Sequence, residues 1–164
     1  AEILPKIDIQ VINKGVARQT AEQMLARLQK DVIAEKPGIV IWETGGGEAA
    51  RGADVEQFAA TLLQGIDRLA AANIDVVLMD AQYSPNTAQL INFNPFLVAI
   101  DQVAGMRDLI LFPRYSVMHY WVDNDRFNFT ARSSVERRRV ADKVYDCVAR
   151  QIARSIDQGL KLAR

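Results

Sequence analysis

The clearest indication of the fold is the segment Gly38-Ile39-Val40-Ile41-Trp42. It is a continuous apolar run rich in β-branched residues, which indicates a strand covered on both faces, as in a parallel sheet between helices. Asp75-Val76-Val77-Leu78-Met79-Asp80 and Asp108-Leu109-Ile110-Leu111-Phe112 have the same character. The earlier segment Ile7-Asp8-Ile9-Gln10-Val11-Ile12 alternates with period two and predicts a strand with one better-buried face.

Helical segments alternate with these strands. Each is predicted from a start signal followed by an apolar stripe. The start signals are Thr20 with Gln23, Asp54 with Gln57, Asn94 with Pro95, and Ser133 with Glu136. Pro37 limits the first helix, because the residue before a proline is pushed out of the α region, and Gly159 is predicted to end the last. The order predicts one α/β domain over residues 1–164, a three-layer sandwich with a parallel sheet.

Composition excludes several classes of protein. The chain has 164 residues, is 49% hydrophobic, and carries 20 basic and 20 acidic side chains. It therefore lacks the basic excess of a typical nucleic-acid binder, and no apolar run approaches the roughly 20 residues that span a bilayer. Its single cysteine, Cys147, excludes an internal disulfide and a cysteine-based zinc site. The first residues do not form a signal peptide, and both an exported form after signal removal and a cytoplasmic form remain open.

Ligands in parallel α/β sheets bind at the carboxyl ends of the strands, so we expect functional residues in the loops there. These loops span residues 13–19, 43–52, 82–94 and 113–132. In the first loop, Gly15 and Arg18 precede a helix N-terminus, where backbone N–H groups favour an anion. The alternative is a tight turn that needs Gly15 and carries a solvated arginine.

The second loop contains three consecutive glycines, Gly45, Gly46 and Gly47, that would let the backbone approach a ligand closely. The alternative is a flexible turn. The pattern is neither a P-loop nor a dinucleotide fingerprint, and the sequence predicts no cofactor. Glu48 and Arg51 follow and could form a surface pair.

The later loops hold two further candidates. Tyr83, with Gln82, could orient a polar ligand, or belong to a turn-rich connection. The only histidine, His119, could be a general base or a packed, hydrogen-bonded side chain. Asp123-Asn124-Asp125 could form a polar turn or hold a hard cation, but no metal site is predicted from it.

Several segments resemble the SGNH, or GDSL-type, hydrolases. Val11-Ile12-Asn13-Lys14-Gly15-Val16, followed by Thr20 and Met24-Leu25-Ala26-Arg27-Leu28, resembles their second block. Lys36-Pro37-Gly38-Ile39-Val40-Ile41-Trp42-Glu43-Thr44-Gly45 resembles the strand that leads into the third, and residues 77–85 and 144–149 match bacterial members. The resemblance covers almost the whole chain. It implies a flavodoxin-like α/β/α sandwich and hydrolysis of carboxylic esters or acylated sugars.

The resemblance also implies where the catalytic residues would lie. The family takes its name from a nucleophilic serine, an oxyanion-hole glycine and asparagine, and a base histidine. Arg18 stands where the glycine would be, Gly47 where the asparagine would be, and no histidine lies between Asp123 and Asp142. The Gly-Asp-Ser motif belongs to a first family strand that is absent from this chain. Glu48 and His119 remain the candidate bases.

Three hypotheses for function follow. The first is an ester hydrolase that draws its serine from an upstream Gly-Asp-Ser. The second is a non-catalytic binding module for a small anionic or sugar-like ligand. Its pocket residues would be Gly15, Arg18, Gly45, Gly46, Gly47 and Tyr83. The third is an oligomeric scaffold, suggested by the arginine-rich run at 136–139 and by the absent first strand, whose place in mid-sheet predicts a longer N-terminus or another segment in that slot.

Overall fold

The computed structural model describes residues 9–162, with side chains described for residues 9–158. Contacts between α-carbons group the chain into two compact units. We call Lys14–His119 the sheet unit, and the described residues of Ala1–Asn13 and Tyr120–Arg164 the helical unit. The single domain expected over residues 1–164 stays a prediction.

The sheet unit contains three parallel strands in the order β1-β2-β3. They are β1 (Ile39–Glu43), β2 (Asp75–Met79) and β3 (Ile110–Phe112). Its helices are α1 (Ala21–Asp31), α2 (Gly46–Ala49), α3 (Val55–Ala71), α4 (Pro85–Ala88) and α5 (Asn94–Met106), with a 3₁₀ turn at Ile33–Glu35. Next, α6 (Arg114–Asp123) begins in the sheet unit and ends in the helical unit, which also contains α7 (Ser134–Leu162). A parallel sheet flanked by helices confirms the predicted α/β class.

The predicted helix starts are confirmed at three of the four positions. Thr20 forms a full capping box with Gln23 at the start of α1. The Asp54 carboxylate accepts a hydrogen bond from the Gln57 N–H at 2.7 Å, and the Ser133 hydroxyl accepts one from the Glu136 N–H at 3.1 Å. Each cap satisfies a backbone donor that the first helical turn leaves without a partner.

The core of the sheet unit lies on one face of the sheet. Trp42 and Leu78 point from adjacent strands into a cluster of buried apolar side chains from α1, α3 and α5. Leu62 and Leu69 on α3 and Ile100 on α5 are fully buried there. The helices that connect parallel strands thus cover the sheet, which positions the carboxyl ends of all three strands along one edge.

The predicted strand at residues 7–12 is not formed where it can be seen. Residues 7 and 8 lie outside the described residues, and residues 9–12 are not in a strand. Ile9, Val11 and Ile12 are 50%, 85% and 47% exposed. Alternation along a chain measures strand propensity only; a strand also needs a neighbouring backbone to bond with.

Four local predictions were also wrong. Asn94 is the first residue of α5 instead of its N-cap, and Phe93, which precedes it, makes no side-chain cap; the Asn94 N–H donates to the Asn92 side chain at 3.2 Å. Asp108 is in a left-handed turn (φ 51°), which shortens β3 to three residues. Helix α7 continues through Gly159 instead of ending there. The predicted loop 113–132 contains α6, whose aromatic and apolar residues surround the helix instead of forming one stripe.

None of the helices in the described part of the chain is both long enough and apolar enough to cross a membrane.

Candidate ligand-binding rim

The carboxyl ends of the three strands meet at one edge of the sheet unit, which we call the rim. The Thr44 N–H donates to the Met79 carbonyl at 3.0 Å, and the Asp80 N–H donates to the Phe112 carbonyl at 3.4 Å. The strand pairing therefore continues one residue beyond the ends of β1 and β2. Side chains that directly follow the strands are brought together by this pairing.

Arg114 crosses the rim as a buried cation. It is 3% exposed, and its guanidinium donates to the Glu43 carboxylate at 2.6 Å and to the Gln82 side-chain oxygen at 2.7 Å. A guanidinium presents several N–H donors in a fixed plane, so one side chain can join the ends of β1, β2 and β3. Sequence reasoning missed Arg114 and Glu43, although both directly adjoin the ends of apolar strands, which was the available signal.

Asp80 is a buried carboxyl beside this arginine. It is 5% exposed and accepts a hydrogen bond from the Tyr115 N–H, in the first turn of α6, at 2.7 Å. Burial raises the pKa of Asp80 to about 6, although the Tyr115 N–H and the positive charge of Arg114 act to lower it. The rim therefore contains a carboxyl that gains or loses its proton near neutral pH.

The raised pKa of Asp80 predicts how stability depends on pH. The folded state binds this proton more tightly than the unfolded state, so the free energy of unfolding falls as pH rises from about 4 through about 6. The expected contribution is roughly 3 kcal/mol across that window, from about 1.4 kcal/mol per pKa unit. Urea unfolding of the wild type and Asp80→Asn at pH 4, 5, 6 and 7 tests this. The stability difference between the two should change by that amount in favour of the variant as pH rises, and a constant difference would contradict the prediction.

At the other end of the rim, Arg51 ties the first and second loops together. Its guanidinium donates to the Gly47 carbonyl at 2.8 Å and to the Arg18 carbonyl, also at 2.8 Å. The structure thus brings the predicted residues Arg18 and Gly47 together. Arg27 fixes the same first loop, which contains the exposed Gly15, by donating to the Lys14 carbonyl at 2.5 Å and the Gln19 side chain at 2.8 Å.

The three glycines pack against protein, where the sequence suggested a ligand. A Cβ at Gly45, which has a left-handed φ of 89°, would lie 2.9 Å from the Ile100 side chain. A Cβ at Gly46 would make an ordinary contact with Ala81 at 3.7 Å. At Gly47 a Cβ would lie 2.4 Å from the Gln19 carbonyl oxygen. A left-handed φ explains Gly45 and a close backbone neighbour explains Gly47, whereas Gly46 has room for a side-chain carbon. The segment is partly helical instead of a flexible turn.

Glu48 lies beneath the rim and does not form the surface pair with Arg51 that the sequence allowed. It is 3% exposed, and one carboxylate oxygen accepts a hydrogen bond from the Ala21 N–H at the start of α1. Its other oxygen has no hydrogen-bond partner among the described residues. A carboxylate at a helix N-terminus satisfies a free backbone donor and the positive end of the helix dipole, which is a structural arrangement.

Tyr83 belongs to an aromatic cluster at the start of α6. Its ring packs edge-on against Tyr115 at a centroid distance of 5.1 Å and lies 4.5 Å from the ring of His119. Phe93 contacts Tyr115 at 5.4 Å on the other side. His119 is exposed, so its ring stacks at the surface instead of being packed in a core.

Within residues 9–158, no group of three or more His, Cys, Asp or Glu side chains could hold a metal ion. The Asp123-Asn124-Asp125 turn is therefore no part of such a group.

Matches to a family model, to relatives and to solved structures place this α/β fold among the SGNH, or GDSL-type, hydrolases. The chain belongs to the non-GDSL lipase-like family, whose model matches residues 1–162. It is 29% identical over 119 residues to thioesterase 1/protease 1/lysophospholipase L1 of Escherichia coli. That match covers 70% of this chain and 57% of the relative, so the chain spans little more than half of that protein's length.

Solved structures share the fold. A lipase/acylhydrolase from Enterococcus faecalis is 22% identical, with a TM-score of 0.59 over 81% of this chain and 72% of that one. A catalytic mutant of an acetylxylan esterase from Geobacillus stearothermophilus is 20% identical, with a TM-score of 0.64 over 74% of this chain and 64% of that one. At these identities the likeness establishes the architecture.

Proposed function

We propose that this chain binds a small carboxylic ester or acylated sugar at the rim and does not itself hydrolyse it. The absence of hydrolysis is inferred from Gly47, where the backbone leaves no room for a side chain: a Cβ there would lie 2.4 Å from the Gln19 carbonyl oxygen. We call this obstruction the closure at Gly47. The family resemblance assigns an oxyanion-hole asparagine to this position. A carbonyl oxygen there is an acceptor and opposes the negative charge that an oxyanion hole must stabilise.

Arg18, at the position of the oxyanion-hole glycine, supports the same proposal. Its φ of 66° lies in the left-handed region that favours glycine, although its side chain is large and charged. The side chain is exposed, and the carbonyl is held by Arg51. The backbone conformation suits a glycine, while the arginine adds a hydrogen-bond donor for the oxygens of an ester.

Binding without turnover is the expected result of a paired experiment. Acetylated xylotriose should raise the thermal midpoint of the protein, because a ligand that binds only the folded state stabilises it. The rise should shrink in Arg18→Ala but not in Arg68→Ala, an exposed arginine on α3. No shift in the wild type would overturn binding. Labelling of the folded protein by a fluorophosphonate, together with hydrolysis of p-nitrophenyl acetate, would overturn the absence of catalysis.

Ester hydrolysis is the second candidate function, and the names of the relatives favour it. Both the E. coli thioesterase and the Geobacillus acetylxylan esterase are named for cleaving esters. In this alternative the exposed His119 beside Tyr83 is the more accessible candidate base, since Glu48 is buried against α1. Loss of p-nitrophenyl acetate hydrolysis in His119→Ala, with fluorophosphonate labelling of the wild type, would support it.

The closure at Gly47 also predicts a loss of stability. Gly47→Asn should lower the free energy of unfolding by about 1–2 kcal/mol, because the Gln19 carbonyl must move to admit a side chain. The cost is moderate because the obstructing backbone belongs to a partly exposed loop. Urea unfolding measures it, with Gly38→Ala as the control, since a Cβ at Gly38 meets nothing within 4 Å. Equal stability of the two variants would contradict the closure.

A further inference from the structure

A shallow, largely open depression with a volume of about 490 Å³, which we call the cavity, lies beside the rim in the sheet unit. Residues 88–94, Leu97 and Tyr115 line it, so it is formed by the connection from α4 to α5 and by the first turn of α6. Its volume is in the range of small-molecule sites, about 300–1,000 Å³. None of the lining residues is charged.

The lining combines carboxamides with apolar surface. Gln89, Asn92 and Asn94 are exposed at the cavity, and each carboxamide can both donate and accept hydrogen bonds. The Asn92 side-chain oxygen already accepts from the Asn94 N–H at 3.2 Å, which fixes the Asn92 amide in place. Leu90 is 86% exposed, and Tyr115, an aromatic residue, is among the lining residues.

This chemistry selects among the ligands considered above. A charged ligand would lose its hydration without gaining an opposite charge from the lining, which is unfavourable. A neutral sugar offers hydroxyl groups that both donate and accept, as carboxamides require, and C–H faces that pack against an aromatic ring. The cavity therefore favours a sugar-like ligand over an anionic one.

Tyr115 connects the cavity to the rim. Its N–H donates to Asp80, its ring packs edge-on against Tyr83, and the residue is part of the cavity lining. A ligand that occupies the cavity and contacts Tyr115 would thus lie next to residues at the end of β2. The cavity and the end of β2 thus belong to the same unit and share Tyr115.

We propose that the cavity is a subsite for a neutral sugar ring, hydrogen-bonded by Gln89 and Asn94 and packed against Tyr115. This inference rests on the proposed function, of which it specifies the ligand: the acyl group lies at the rim and the sugar in the cavity.

Xylotriose, which is neutral and carries no acyl group, is the probe that tests the subsite separately from the rim. Isothermal titration should detect its binding, and Gln89→Ala and Asn94→Ala should each weaken it roughly three- to tenfold, the loss of one hydrogen bond. The matched controls are Asn86→Ala, on α4 but outside the cavity, and Gln64→Ala on α3, both exposed. The anionic trigalacturonate should bind more weakly than xylotriose.

The outcomes separate this proposal from the function on which it rests. Xylotriose binding that is weakened by the cavity variants, without any added affinity from acetylation, would support the subsite and overturn the role of the rim. Absence of xylotriose binding, equal binding in cavity and control variants, or tighter binding of trigalacturonate would each overturn the subsite. Gln89 and Asn94 are exposed, so the thermal midpoints of the Gln89→Ala and Asn94→Ala variants should match that of the wild type. Weakened binding would then not reflect unfolding.

Discussion

Gly65→Ala should lower the free energy of unfolding by about 2–3 kcal/mol, although alanine is the better helix former. A Cβ at Gly65 would lie 2.3 Å from Cη2 and 2.5 Å from Cζ3 of Trp42. Trp42 is 5% exposed and is held between α3 and the sheet, so it has little room to move. Overpacking usually costs about 1–3 kcal/mol and occasionally more, and such short contacts with a confined ring put the cost at about 3–4 kcal/mol. The gain in helix propensity, about 1 kcal/mol, offsets only part of it.

The matched control for this substitution is Gly105→Ala. Gly105 also lies within a helix, α5, and a Cβ there would meet nothing within 4 Å. Its replacement should leave stability unchanged or raise it by about 0.5–1 kcal/mol. Urea unfolding of both variants gives the comparison. A loss at Gly65 no larger than at Gly105 would contradict the close packing of α3 on Trp42.

A double-mutant cycle tests whether Trp42 is the cause. Trp42→Phe removes the ring atoms that obstruct position 65, at the cost of a cavity. In the double variant with Gly65→Ala, the new methyl group should partly fill that cavity. The loss of unfolding free energy in the double variant should therefore be smaller than the sum of the losses in the two single variants. Simple additivity would show that the obstruction comes from elsewhere.

The strands and capped helices of the sheet unit were predictable because their signals are local. The apolar run Gly38–Trp42 and the pairs Thr20 with Gln23 and Asp54 with Gln57 depend on neighbours a few residues away. The strand expected at residues 7–12 failed at residues 9–12, because a strand requires a partner distant in sequence. The helical pattern of α6 is obscured because its apolar residues do not form one stripe: Met118 and Trp121 are buried, whereas Tyr120 between them is 57% exposed.

The site was less predictable because it depends on contacts between loops. The sequence predicted that Gly47 and Arg18 share one site, and in the structure Arg51 bonds the carbonyls of both. Only the structure shows that the Gln19 carbonyl lies against Gly47. Arg114 was missed because, in sequence, it is one arginine among many charged residues. Its significance depends on burial between Glu43 and Gln82, which are separated from it by 71 and 32 residues.

Because Arg114 is buried, Arg114→Met should lower the free energy of unfolding by about 3 kcal/mol. Methionine keeps much of the side-chain volume but removes the cation beside the buried Asp80. Breaking a buried ion pair typically costs 3–5 kcal/mol, and the low end applies because Glu43 is 50% exposed and can be hydrated. Arg107→Met is the matched control. The Arg107–Asp67 pair at 3.0 Å is 39% and 60% exposed, and such surface pairs contribute about 0–1 kcal/mol.

The pH dependence of stability tests whether Arg114 stabilises the fold through its positive charge beside Asp80. The positive charge of Arg114 lowers the pKa of Asp80, so its removal should raise that pKa further above 6 and extend the pH-dependent loss of stability to higher pH. The added substitution Asp80→Asn removes the buried anion and should recover part of the stability lost in Arg114→Met at pH 8, but not at pH 4, where Asp80 is protonated. Equal recovery at both pH values would mean that Arg114 stabilises the rim by packing alone.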